Sequence, residues 1–247
     1  MSEPTPIFTI NRSVTDTDGD FLRRQKLSSM FGMFQDIAGS HAANLGVSVD
    51  WLYKEHNLAW ILMRVRVEID KYPKLAQELF VDTWPQKPRA LYDRDYQIRD
   101  KEGEVLVRAA STWIIMNLNT REIKRDLFFD YFGLEMNKNR ALGKGVGKLK
   151  PAKGAEPVYE KKIGFSDIDY NVHTNNAKYV DLIMDIFSVD EHRERELYAF
   201  EIHYVNETNP GDTLELRRKA IDGSTDYIEC IRKSDEALAV NALVEWR

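Results

Sequence analysis

The sequence predicts an α+β fold built twice over, each half a long helix laid against a curved antiparallel sheet. Three observations point there. Two amphipathic stretches with helical spacing stand far apart, at Leu27–Leu45 and Asn175–Val189. Each is followed by four runs with strand character. Between the two sets lies a glycine- and lysine-rich stretch where apolar periodicity stops, to resume near Val158. The chain has 247 residues, 43% of them hydrophobic. That suffices for one large core or for two of roughly 110–130 residues each.

In the first stretch Leu27, Met30, Phe31, Phe34, Ile37, Ala38 and Leu45 fall mostly three or four residues apart, which puts them on one helical face. Strands are expected at Ala59–Asp70, Glu78–Trp84, Leu91–Asp100 and Glu104–Asn117. Arg64 to Ile69 alternates with period two, as a strand with one wet face does. Asp100-Lys101-Glu102-Gly103 reads as a hairpin turn. In the second half Ala177, Tyr179, Val180, Leu182, Ile183, Ile186 and Phe187 mark the helix. Strands are expected at Tyr198–Thr208, Thr213–Ile221, Tyr227–Arg232 and Glu236–Trp246, with turns at Asn209–Asp212 and Ile221–Ser224. Trp60 and Phe200 open corresponding strands 140 positions apart. A long helix beside such a sheet is the hotdog arrangement. A single unit leaves a sheet edge that pairs with a second copy; two tandem units satisfy it within one chain, and a homodimer is compatible with the same pattern. The expected organisation is a tandem double hotdog, with units at 1–136 and 156–247 joined by a linker at 137–155. The plainer reading is a two-layer α+β domain with a coincidental repeat.

Composition narrows the function classes. Charged residues make up 30% of the chain and mean hydropathy is −0.48, which suits a folded, water-facing protein. No apolar run approaches the ~20 residues of a membrane span. Met1 to Pro6 shows neither a basic nor an apolar targeting region, and a single cysteine, Cys230, fits a reducing compartment, so a cytoplasmic location is expected. A net charge of −5 argues against nucleic-acid binding. The linker is the exception: Lys138, Arg140, Lys144, Lys148, Lys150 and Lys153 occur there with no acidic residue. It reads as a solvated spacer, or as a surface that also attracts an acidic partner.

Chemistry concentrates just before the second helix. In Asp169-x-Asn171-x-His173, alternation would place three polar side chains on one side of an extended segment. The helix start that follows, capped by Thr174 or Asn175, offers backbone N–H groups and a positive dipole end to a developing oxyanion. A carboxylate and an imidazole alongside could accept or relay the proton of an attacking water. Asp and Asn are equally at home in turns and caps. A lone histidine is usually structural, and His41, His56, His192 and His203 are read that way. The matching first-half segment, Thr15–Asp20, has acidic residues but neither His nor Asn, an asymmetry that favours function.

The run Ser166-Asp167-Ile168-Asp169-Tyr170-Asn171-Val172-His173-Thr174-Asn175-Asn176-Ala177-Lys178-Tyr179 resembles the signature of acyl-ACP thioesterases, the plant Fat-type enzymes and their bacterial relatives. Trp60, Arg64 to Pro73, and Val81-Asp82-Thr83-Trp84 are similar to that family's first-half segment. The resemblance implies a tandem hotdog, an acyl-chain pocket in the N-terminal half, and hydrolysis of fatty acyl-ACP to free fatty acid. It implies that Asp169, Asn171 and His173 take the catalytic positions, with Asn171 and His173 orienting water and thioester and Asp169 holding or activating them. Plant members carry a Glu-Cys pair on the strand after the second helix, where this chain is aligned with Val205 and Asn206. Cys230 stands elsewhere and reads as a buried thiol. Direct attack by water is therefore expected, with Asp169 or Glu207 as general base.

Met30, Phe34, Trp60 and Leu62 are candidates to line the acyl pocket. The implied partner is acyl carrier protein, a small acidic protein that Lys144, Lys148, Lys150 and Lys153 would steer. No metal-ligand spacing and no phosphate-binding glycine loop are present in the sequence, and no cofactor is expected. An acyl-CoA thioesterase, a hydroxyacyl-ACP dehydratase and a non-catalytic acyl-binding module are the competing readings.

Overall fold

In a computed structural model of the chain, residues 3–88, 91–124 and 134–247 are described. They fall into two compact units, residues 1–25 with 32–146 and residues 26–31 with 147–247. The end of the expected N-terminal unit, 125–133, lies outside the described residues.

The first half runs β1 (Phe8–Ser13), α1 (Leu27–Asn44), α2 (Val49–His56), β2 (Leu58–Ile69), β3 (Glu78–Pro85), β4 (Tyr92–Arg99), β5 (Val105–Asn117) and the short β6 (Ile123–Lys124). The second runs β7 (Glu156–Lys162), α3 (Asn176–Met184), α4 (Val189–Glu194), β8 (Leu197–Tyr204), β9 (Thr213–Ala220), β10 (Thr225–Arg232) and β11 (Ala237–Trp246). Strand order is β1-β3-β4-β5-β2 in the first half and β7-β9-β10-β11-β8 in the second, which is the same order. The strand pairs within each half are antiparallel. Each half is thus an α+β hotdog, and the repeat is not coincidental. Helix meets sheet through Phe34 on Tyr96 at 4.9 Å in one half and Tyr179 on Tyr204 at 6.1 Å in the other.

The structure differs from the sequence expectation in three places. An edge strand, β1 or β7, opens each half. The expected Leu27–Leu45 helix is α1, and α3 ends at Met184, short of the expected Val189; a second short helix then follows each, α2 capped by Ser48, which takes the N–H of Trp51, and α4 by Ser188, which takes that of Glu191. A serine hydroxyl that satisfies an orphan N–H starts a new helix that apolar spacing alone does not announce. The capping serines lie 140 positions apart, whereas corresponding turn residues Asp20 and Asp169 lie 149 apart. That nine-residue difference is the difference between the 18 residues of α1 and the 9 of α3.

The linker is also not a free spacer. Its first part is tied to the first unit: Trp84 and Gln86 side chains donate to the Asn139 carbonyl, and Arg140 pairs with Asp93 at 2.9 Å and with the buried Asp95 at 3.4 Å. Its second part is tied to the second unit, where Leu149 N–H donates to His203 Nδ1 and Lys219 Nζ to the Lys153 carbonyl. Lys144, Lys148, Lys150 and Lys153 are all exposed.

Candidate active site

Asp169 to His173 is a tight turn, not an extended segment. Asp169 Oδ1 accepts the N–H of Asn171 at 2.8 Å, the Val172 N–H reaches the Asp169 carbonyl at 3.0 Å, and the Asp169 N–H reaches the His173 carbonyl at 2.9 Å. Val172 completes the reversal at φ 63°, in the left-handed region. An aspartate that captures the N–H two residues on builds this turn by itself, which breaks the alternation on which the extended reading rested. Upstream, buried Asp167 takes the Gly164 N–H at 2.8 Å and pairs with Lys161 at 3.2 Å. Downstream, Asn175 caps α3 by accepting from Ala177 N–H. Asn171 is exposed; Asp169 and His173 are half-buried.

The loop after β8 brings Glu207 to this turn. Glu207 Oε2 lies 3.6 Å from His173 Nδ1, an ion-pair separation, with the two side chains 43% and 37% exposed. Water therefore reaches both. Beneath them the Thr174 N–H donates to the Thr208 carbonyl at 2.9 Å, and Thr174 Oγ1 and Tyr179 Oη lie 2.7 and 2.6 Å from Thr208 Oγ1. Burial pushes the Tyr179 hydroxyl up to about 12, so it stays protonated. Arg232, itself paired with Asp235, donates to the Glu207 carbonyl at 2.7 Å. Sequence reasoning missed the three hydroxyls. Tyr179 sits one helical turn past Thr174, but nothing in the sequence ties either to Thr208.

Cys230 is fully buried, and burial raises its thiol above the ordinary range, which suppresses the thiolate. The other histidines make structural contacts. His41 Nε2 meets the Thr5 carbonyl, His192 the Met184 carbonyl, His203 bonds Leu149 and Glu201, and His56 packs on Trp51. Among the candidate pocket residues Met30, Phe34 and Leu62 are buried. Trp60 is half-buried, donates from its indole to the Val47 carbonyl at 3.1 Å and stands edge-on to Tyr92. Val205 and Asn206 are exposed. Among the described residues, no cluster of potential metal ligands occurs, and no helix is long and apolar enough to cross a membrane.

Among solved structures, an acyl-ACP thioesterase from Bacteroides thetaiotaomicron matches with a TM-score of 0.91 and 25% identity, covering 100% of both chains. A 12:0-ACP thioesterase from Umbellularia californica shares the fold, with a TM-score of 0.86, 20% identity and coverage of 100% and 99%. Among curated proteins, a palmitoyl-acyl carrier protein thioesterase of Arabidopsis thaliana is 26% identical over 97% of this chain and 64% of its own length. An oleoyl-acyl carrier protein thioesterase of Coriandrum sativum is 25% identical over 86% and 63%. The chain thus spans a little under two thirds of these curated relatives. Residues 7–127 match the acyl-ACP thioesterase N-terminal domain and residues 152–247 its C-terminal domain, so the chain belongs to the acyl-ACP thioesterase family.

Proposed function

We propose that this protein hydrolyses the thioester of fatty acyl-ACP to free fatty acid and ACP, by direct attack of water. The observation that carries the reading is the pairing of His173 with Glu207 at 3.6 Å, both open to solvent. Glu207 takes a proton from water as the water oxygen bonds to the thioester carbonyl carbon. Asn171 and His173 orient the carbonyl and the water, the carbon–sulfur bond breaks, and the leaving thiolate is protonated from the same pair. Asp169 holds the turn. The acyl chain lies in the N-terminal half, against Met30, Phe34, Trp60 and Leu62. Lys144, Lys148, Lys150 and Lys153 attract the acidic carrier. The single buried Cys230 suits a cytoplasmic setting and leaves no thiolate for covalent catalysis.

Incubation with acyl-ACP and with acyl-CoA, following thiol release, tests the reading. Release from acyl-ACP, retained in Cys230→Ala, is expected. Release from acyl-CoA alone reassigns the substrate. Release from neither leaves an acyl-binding module. A folded but inactive Cys230→Ala overturns the water mechanism.

A further inference from the structure

His173 and Glu207 stand on separate segments, 34 positions apart in sequence, and each is followed directly by a buried threonine. Thr174 is 5% exposed, Thr208 0% and Tyr179 2%. Their three hydroxyls meet at Thr208 Oγ1, and the Thr174 N–H closes the same junction on the Thr208 carbonyl. Three polar groups in a core need one another, since each would otherwise lose water without recompense. The junction sits one residue from both halves of the exposed pair, so its geometry fixes theirs. The first half has the same backbone junction, Gln25 N–H to the Pro73 carbonyl at 2.8 Å. There the corresponding side chains are Gln25, Pro73 and Met30, which supply no hydroxyls. The hydroxyl cluster is thus confined to the half that carries His173 and Glu207.

We propose that Thr174, Thr208 and Tyr179 are positioning residues, whose buried hydroxyls hold the His173 turn in register with the Glu207 loop. The proposal rests on the reading that His173 and Glu207 act together in hydrolysis. Loss of one hydroxyl lets two solvent-exposed segments slip, and a slip of about 1 Å at a reacting group costs on the order of 100-fold in rate.

The test uses the full chain with Thr208→Val, Thr208→Ser and Tyr179→Phe. Turnover on acyl-ACP is measured together with the NMR chemical shifts of the His173 imidazole at fixed pH. Thr208→Val is expected to lower kcat about 10- to 100-fold with KM within about twofold, and to move the His173 ring signals as the Glu207 carboxylate moves away. Thr208→Ser keeps the hydroxyl and is expected to restore both. If Thr208→Val does not fold, Tyr179→Phe carries the same expectation at about threefold to tenfold in kcat. A purely structural role would lower Tm in these variants while leaving kcat and the His173 ring signals as in the wild type, and that result overturns the proposal. His173→Ala and Glu207→Gln serve as references. If they turn over at the wild-type rate, the hydrolytic reading fails; unmoved His173 ring signals in Thr208→Val reject the positioning role whatever they do.

Discussion

The turn at Asp20–Arg24 and the turn at Asp169–His173 are the same object with different contents. In each, the aspartate Oδ1 accepts the N–H two residues on at 2.8 Å, and the fourth residue is left-handed, Arg23 at φ 60° and Val172 at φ 63°. In each, the aspartate N–H bonds the carbonyl of the fifth residue, at 2.7 and 2.9 Å. The fifth residue then reaches the loop after the strand that follows each helix pair, β2 or β8. Arg24 lies over the Tyr72 ring at 4.5 Å and pairs with its own Asp20 at 3.1 Å, whereas His173 faces Glu207. One turn closes on itself with a guanidinium; the other presents an imidazole and a carboxylate to water. The aspartate common to both builds the turn in each. What distinguishes the second half is Asn171, His173 and Glu207, where the first has Leu22, Arg24 and Tyr72. The structure thereby corrects the expected first-half match: Thr15–Asp20 corresponds to Gly164–Asp169, and the counterparts of Asn171 and His173 lie beyond it.

The largest expected effect tests that distinction. Glu207→Gln keeps the shape and removes the base, and is expected to lower kcat about 10²- to 10⁴-fold with Tm unchanged, read by thiol release and a melting curve. Tyr72→Phe in the first half is expected to leave turnover alone. A Glu207→Gln enzyme at full rate would break the comparison.

Acid should also treat the two halves differently. Burial, followed by the nearby Arg94 charge, lowers the His41 pKa to about 4, and Arg94 Nη1 donates to its Nδ1 at 3.0 Å. The folded state therefore keeps His41 neutral while the unfolded chain protonates it below about 6.5. The unfolded state binds the extra proton, so stability is full above pH 6.5 and falls as pH drops toward 4, by about 3 kcal/mol at most. Denaturant unfolding at stepped pH should show this slope and lose it in His41→Gln. An unchanged slope would remove His41 from the account.

A smaller effect separates scaffold from chemistry. Asp20→Ala and Asp169→Ala are each expected to cost about 1–2 kcal/mol of stability, through an unsatisfied turn N–H. Only Asp169→Ala should also slow turnover. Asp169→Asn keeps an acceptor oxygen and should recover most of that rate; failure to recover would make the Asp169 charge part of the reaction. The smallest effect is electrostatic. Lys148→Glu combined with Lys150→Glu and Lys153→Glu should raise KM for acyl-ACP about threefold to tenfold at low salt and less at high salt, with kcat held. A KM that ignores salt would sever the basic segment from the carrier.

Much of this architecture was legible because it is written in local signals. Met30, Phe34 and Ile37 announce α1 by spacing, and Arg64 to Ile69 announces β2 by alternation. His173 and Asn171 stood out because the first half lacks them. What stayed hidden depends on single hydrogen bonds or on distance along the chain. Ser48 and Ser188 restart helices through one hydroxyl each, and Asp169 turns the backbone by capturing one N–H. Glu207 could be singled out only as an acidic residue near an expected position, since its approach to His173 is set by the Thr174–Thr208 junction. Periodicity carries no trace of such a contact.

Val172 gives the site a further property. A β-branched residue in the left-handed region carries strain that glycine would not. A selection for heat tolerance would favour Val172→Gly, which relieves that strain, and the same change would free the backbone beside His173. Robustness and turnover then pull this position in opposite directions, so directed evolution for one should be expected to erode the other here first.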